Sequence, residues 1–70
     1  MNIDTALQKL GSLSESELKH CIQRVDVEID YYNKCIRNYD AKKLEKYGLP
    51  YLKRLDDKRQ KFIDQLNKLG

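Results

Sequence analysis

The sequence predicts an all-α protein: an antiparallel helical hairpin whose open end is closed by a short N-terminal helix. Three glycines and one proline in 70 residues, with 36% of residues charged, make the chain rich in helix formers and poor in helix breakers. From residue 18 to residue 39, apolar residues recur at alternating steps of four and three, as along the contact face of packed helices. They are Leu18, Ile22, Val25, Ile29, Tyr32, Ile36 and Tyr39. A chain of this length is expected to form a single domain.

The first helix is predicted over residues 3–10. Ile3, Leu7 and Leu10 share one helical side, and Gly11 follows, where glycine often ends a helix. Two helical turns do not persist alone in water. We therefore expect this helix to fold back onto the base of the hairpin, with its apolar side near Leu18, Ile22, Leu66 and Leu69.

The second helix is predicted over residues 15–47. Ser14 and Glu17 have the S-x-x-E spacing of a capping box, which defines the start. Gly48 and Pro50 follow the last lysines and indicate the end. At about 1.5 Å per residue this helix would be nearly 50 Å long. Its apolar pattern falters beyond Tyr39, so we expect the tip to pack differently from the base.

The third helix is predicted over residues 50–68, because proline suits a first helical position. Residues 48–50 form so short a joint that the second and third helices must be antiparallel neighbours. Arg59 interrupts the apolar side of this helix. We expect its aliphatic stem to lie along that side with the guanidinium in solvent. The apolar members are Leu52, Leu55, Phe62, Leu66 and Leu69.

The two cysteines are expected to be free. Cys21 and Cys35 both fall within the predicted second helix, about 21 Å apart at 1.5 Å per residue. A disulfide requires Cα atoms within about 7 Å. Both residues therefore act as small, partly buried hydrophobic groups.

The residue types exclude several classes of function. The only histidine, His20, lies on the outer side of the second helix, away from any nucleophile. Two distant cysteines and one histidine do not form a tetrahedral metal site, and no motif for a cofactor is present. No apolar run approaches the roughly 20 residues that span a bilayer, and residues 1–4 do not begin a secretion signal. We expect a cytoplasmic protein that is not an enzyme and binds no metal, cofactor or membrane.

Positive charge concentrates near the predicted tip of the hairpin. Residues 41–61 contain eight Lys and Arg but only three Asp and Glu, whereas the whole chain has a net charge of +3. Aromatic and cationic residues together are typical anchors for a protein partner with an acidic surface. They also suit nucleic acid, through stacking and phosphate contacts. The predicted partner-binding residues are Lys42, Lys43, Lys46, Tyr47, Tyr51, Lys53 and Arg54.

A second candidate surface lies on the second helix, opposite its apolar side. Val27 and Tyr31 are four residues apart there, with Arg24 continuing the stripe. This surface could contact a partner or pair with a second copy as a homodimeric coiled-coil module. The function we expect is that of a small protein-binding regulator, an adaptor or inhibitor that docks on a larger protein. The alternatives are a nucleic-acid-associated protein and the homodimeric module.

Overall fold

The computed structural model describes residues 2–70 and has the predicted architecture, a helical hairpin with a short N-terminal helix. The first arm of the hairpin is α2 (Glu15–Cys35) extended by a 3₁₀ turn (Ile36–Asn38). The second arm consists of α3 (Ala41–Lys43), a π-helical turn (Leu44–Gly48) and α4 (Leu49–Leu69). Preceding both arms are α1 (Ile3–Gln8) and a 3₁₀ turn (Leu10–Ser12). None of the helices in residues 2–70 is long and apolar enough to cross a bilayer.

The core lies at the base of the hairpin, where α1 packs against both α2 and α4. Leu18, Val25 and Phe62 are fully buried there. Asp4 of α1 accepts a hydrogen bond from Lys58 of α4 at 3.1 Å, which joins α1 to the second arm. The expected role of the first helix is thus confirmed, although Leu69 is exposed. Within residues 2–70, the buried cluster consists of Ile3, Ala6, Leu13, Leu18, Cys21, Val25, Leu55 and Phe62.

The first arm begins as predicted. The Glu17 backbone N–H donates to Ser14 Oγ at 3.2 Å, and the Ser14 backbone N–H donates to Glu17 Oε1 at 3.1 Å. This reciprocal pair is the capping box, and it satisfies two backbone donors that have no partner within the helix.

The first helix, α1, is shorter than predicted. It ends at Gln8, and Gly11 lies in the 3₁₀ turn without a positive φ.

The predicted end of the second helix at residue 47 is wrong. α2 ends at Cys35, and the backbone becomes extended at Tyr39 (ψ 140°) and Asp40 (ψ 169°). The Asp40 carboxylate accepts the Lys43 backbone N–H at 2.7 Å and so caps a new helix. The chain therefore reverses at residues 36–40, and the longest dimension of the molecule is 42 Å. A continuous helix of nearly 50 Å would not fit this length.

The predicted start of the third helix at residue 50 is also wrong, because the second arm is helical from Ala41. Gly48 does not end a helix: its φ is −70° and it is buried. A Cβ atom at Gly48 would lie 2.8 Å from Leu44 Cδ1 and 3.5 Å from Ile36 Cγ2, so a larger residue would have to displace the end of the Leu44 side chain. Pro50 is the second residue after the π-turn. Because proline has no N–H and crowds the carbonyl four residues back, this widened turn accommodates it within the helix.

Candidate partner-binding site

Two tyrosines from opposite arms make contact midway along the hairpin. The ring centroids of Tyr32 on α2 and Tyr51 on α4 are 4.3 Å apart, with the planes inclined at 36°. Such a tilted pair adds to the energy of burying the rings. The pKa of Tyr32 is raised, first because its hydroxyl is partly withdrawn from water and second because of a hydrogen bond with Tyr39. The tyrosines thus link both arms to the hairpin turn.

An open groove lies beside this pair. We call it the tyrosine groove, and its walls are Val27, Glu28, Tyr31, Tyr32, Tyr51 and Leu55. Val27 and Tyr31 remain 64% and 69% exposed, and Tyr51 is 44% exposed. The groove joins Tyr51 from the first predicted surface with Val27 and Tyr31 from the second. The two surfaces predicted as alternatives therefore meet at one place.

The remaining predicted tip residues separate into two groups. Lys46, Tyr47 and Arg54 line a depression with Pro50 that shares Tyr32 and Tyr51 with the tyrosine groove. Lys42 and Lys43 lie at the far end of the hairpin. There they form a second depression with Asp40, Lys46 and Tyr47.

Lys53 belongs to neither of these two depressions. It neighbours Arg54 in sequence, and the 100° step between successive residues of a helix turns the two side chains to different sides of α4. The predicted tip set is therefore not a single surface.

Arg24 lies next to the tyrosine groove but does not line it. It borders a further depression with His20, Gln23, Val27 and Glu28. Val27 and Glu28 belong to both, so the two depressions are continuous along α2. The second predicted surface is thus an extension of the groove towards the base.

The cations around the groove differ in their partners. Lys58 pairs with Asp4, and Arg59 Nε donates to Asp26 Oδ1 across the hairpin. The sequence analysis placed the Arg59 guanidinium in solvent and did not predict this partly exposed ion pair. Lys53 and Arg54 take part in no ion pair within residues 2–70. The positive charge of the second arm near the groove is consequently unneutralised at Arg54.

At the far end, two lysines lie over aromatic rings. Lys43 Nζ is 4.3 Å from the Tyr39 ring centroid, and Lys46 Nζ is 5.5 Å from that of Tyr47. A cation over a ring face is attracted to it by roughly 0.5–1 kcal/mol at exposed sites. These contacts hold the lysines close to the surface while their charges stay accessible.

Sequence reasoning missed Tyr32 and Leu55 as site residues and assigned both to the apolar contact faces. They do belong to those faces, and they also line the tyrosine groove. The predicted length of the first helix was the available signal. The eight residues from 3 to 10 would cover only about 12 Å of a much longer hairpin.

Within residues 2–70, no three His, Cys, Asp or Glu side chains are grouped so as to hold a metal ion. Cys21 and Cys35 are free, as predicted, and burial raises the pKa of the Cys21 thiol, which lowers its reactivity. The chain matches no protein-family model, and no curated protein or solved structure shows significant similarity to it.

Proposed function

We propose that this protein is a small non-enzymatic regulator, an adaptor or inhibitor, that docks the tyrosine groove and the adjoining Arg54 onto a larger protein with an acidic surface. The observation that carries the proposal is the convergence of Val27, Tyr31 and Tyr51 in one open groove. Large apolar side chains left exposed side by side are unfavourable in water, and such clusters are typical of interaction surfaces.

The residue types also support this function. Tyr and Arg are enriched among the residues that dominate binding energy, because they combine large contact area with hydrogen-bonding groups. Arg54 has no intramolecular ion pair among the described residues. An acidic partner would supply one, and complementary charge also accelerates association.

Affinity capture with matched variants tests the proposal. The tagged wild-type protein is compared with Tyr51→Ala/Arg54→Ala and with Val27→Ala/Tyr31→Ala in lysate of the source organism. We expect the same captured proteins to be depleted in both variants. The first variant should lose about 2 kcal/mol or more of binding free energy, which is about thirtyfold in Kd, and the second variant less.

The control is Lys19→Ala/Lys34→Ala, which changes two exposed residues of α2 that pair only with neighbours on the same helix. It should capture the same proteins as the wild type. Circular dichroism verifies that all variants remain helical. Undiminished capture by both groove variants would contradict the proposed function.

Nucleic-acid binding is the second candidate, favoured by the far-end depression in which Lys42, Lys43 and Lys46 surround Tyr47. Fluorescence anisotropy with a labelled single-stranded oligonucleotide at several salt concentrations tests it. Each Lys→Ala substitution should flatten the salt dependence, because one fewer phosphate contact releases fewer counterions. A slope that these substitutions leave unchanged would exclude the far end as the binding site.

A homodimeric coiled-coil module is the third candidate, since Val27 and Tyr31 are exposed on one side of α2. Sedimentation equilibrium over a range of protein concentrations distinguishes it. A dimer that dissociates in Val27→Ala/Tyr31→Ala would support this candidate, and a monomer at all concentrations would exclude it.

A further inference from the structure

The tyrosine groove is one half of a longer cleft between the two arms. On α4, Tyr51, Leu55, Lys58 and Phe62 follow one another at steps of four, three and four, so they lie on one side of the helix. The base end of this stripe is covered: Asp4 of α1 binds Lys58, and Phe62 is fully buried. The tip end, Tyr51 and Leu55, lines the groove.

The α2 wall of the cleft shows the same division. Cys21, Val25, Glu28 and Tyr32 follow at steps of four, three and four. Cys21 and Val25 are buried in the core that includes α1, whereas Glu28 and Tyr32 line the groove. Each wall of the cleft therefore has a base part, which α1 covers, and a tip part, which is the open tyrosine groove.

We propose that the tyrosine groove binds a single amphipathic α-helix of the partner protein, lying in line with α1. The apolar side of that helix would contact the exposed groove residues Val27, Tyr31 and Tyr51, and a carboxylate on it would bind Arg54. This inference rests on the proposed protein-binding function and specifies the partner's structure and charge.

The binding of α1 is the internal precedent for a helix in this cleft. α1 places Ile3 and Ala6 in the core and Asp4 on Lys58. α1 leads through residues 9–14 into the start of α2 at the base, whereas Asp4 near its N-terminal end binds Lys58, about one turn from the groove residue Leu55. The N-terminal end of α1 is therefore the one nearer the groove. A helix placed beyond that end would meet the same two walls.

The charge of the occupant follows from the register of α4. Arg54 precedes Lys58 by four residues, so it lies one turn nearer the tip on the same side of the helix. Lys58 is neutralised by a carboxylate of α1, whereas Arg54 has no such partner within residues 2–70. A helix in the groove would therefore bind Arg54 as Asp4 binds Lys58, through an Asp or Glu about one turn beyond the position of Asp4.

A second copy of this chain is a poorer occupant. In a two-fold symmetric dimer the same patch meets itself. Such an interface would contain Lys46 and Arg54 of both copies, because these residues line the depression that adjoins the groove. Like charges brought together at an interface oppose association.

Selection from a displayed library of helical 16-residue peptides tests the proposal while the partner protein is still unidentified. The library randomises the surface positions of the peptide helix. Peptides are selected for binding to the wild-type protein, and those that also bind Val27→Ala/Tyr31→Ala are removed. We expect enriched peptides to carry apolar residues at helical spacing and one or more acidic residues. Perturbed amide signals in NMR spectra should map to the groove. Enrichment without helical periodicity, or failure to enrich any peptide, would overturn the inference.

A charge exchange gives the sharpest measurement. Arg54→Glu should weaken the best selected acidic peptide by about tenfold or more, and replacing the responsible Asp or Glu of the peptide by Lys should restore binding. Lys53→Glu is the matched control, because it makes the same charge change one residue away on another side of α4. Equal losses in both variants would show that net charge, not a contact at Arg54, attracts the peptide, and would overturn the assignment.

These results separate the inference from the proposed function. If lysate proteins depend on the groove but selected peptides lack helical periodicity, the protein-binding function stands and the helical partner is excluded. If capture does not depend on the groove, the proposed function itself fails. A groove-dependent dimer in sedimentation measurements would assign the groove to a second copy and overturn the inference.

Discussion

The two halves of the hairpin use the same pair of helices but differ in how they are completed. At the base, α1 is added to α2 and α4, and eight apolar residues form a buried cluster. From residue 31 to residue 54, Gly48 is the only buried residue. All five tyrosines of the chain lie in this second region. A third helix at one end thus separates a closed core from an open groove.

The difference shows how the choice of residue follows the degree of burial. Aliphatic groups and Phe62 occupy positions that water does not reach. In the tip half, tyrosines accompany partly buried aliphatic residues such as Ile36, Leu44 and Leu52. A tyrosine suits such a position because its ring can pack on one side while its hydroxyl remains hydrated. The tip half can therefore stay folded with an open groove, and the groove remains available to a partner.

Removing a leucine from each half should give the largest contrast. Leu18→Ala opens a cavity in the closed base, and such substitutions cost about 2–5 kcal/mol. That is comparable to the total stability of a domain of this size, roughly 3–5 kcal/mol, so this variant should be largely unfolded. Leu52→Ala, on a half-buried residue of the tip half, should cost about 1 kcal/mol.

Urea denaturation followed by circular dichroism measures both effects. Leu69→Ala is the control. It removes a leucine side chain at a 50% exposed position near the end of α4, so it leaves the buried core intact. If Leu52→Ala destabilised the protein as much as Leu18→Ala, the tip half would have a closed core of its own.

The fold class and the start of α2 could be predicted because each depends on signals that are local in sequence. The spacing of apolar residues indicated the hairpin, and Ser14 with Glu17 indicated the capping box. For the position of the turn, the sequence contains two sets of helix-boundary signals, and a prediction has to choose between them. Gly48 and Pro50 resemble a helix end, but Asp40 is the residue that caps a helix.

That choice is decided by tertiary packing. Ile36 and Tyr39 lie close to Gly48, and this proximity exists only after the chain has reversed. The tyrosine groove could not be predicted from the sequence for a related reason. Whether Tyr32 and Leu55 are core or site depends on where α1 ends relative to the two arms, which no local pattern encodes.

The helix caps of the two arms offer an intermediate test. Ser14→Ala and Asp40→Ala each remove a side chain that accepts a backbone N–H at a helix start. Each should cost about 1 kcal/mol of unfolding free energy. Hydrogen exchange should distinguish them. Asp40→Ala should accelerate exchange mainly in residues 41–48, whereas Ser14→Ala, at the cooperative base, should accelerate exchange throughout both arms. Identical exchange patterns would contradict a difference in cooperativity between the halves.

The capping box also predicts a dependence of stability on pH. Hydrogen bonds from the Ser14 backbone N–H and side chain lower the pKa of Glu17 below its ordinary value of 4.5. Because the folded pKa is the lower one, Glu17 stabilises the fold above pH 4.5, and this contribution is lost as the pH falls through the folded pKa. Glu17→Gln should make the loss of stability between about pH 5 and pH 3 less steep. An unchanged slope would show that other carboxylates dominate.

The smallest effect is expected where the two halves meet. Asp26 and Arg59 join α2 to α4 there, but their side chains are 50% and 36% exposed. Water screens such a pair, so its coupling energy should be about 0.5 kcal/mol. A double-mutant cycle with Asp26→Asn and Arg59→Gln, measured by urea denaturation at low and high salt, isolates this term. Coupling above about 2 kcal/mol that salt does not reduce would mean that the pair is shielded from water. The closed core would then extend further towards the tip than the exposure of these side chains indicates.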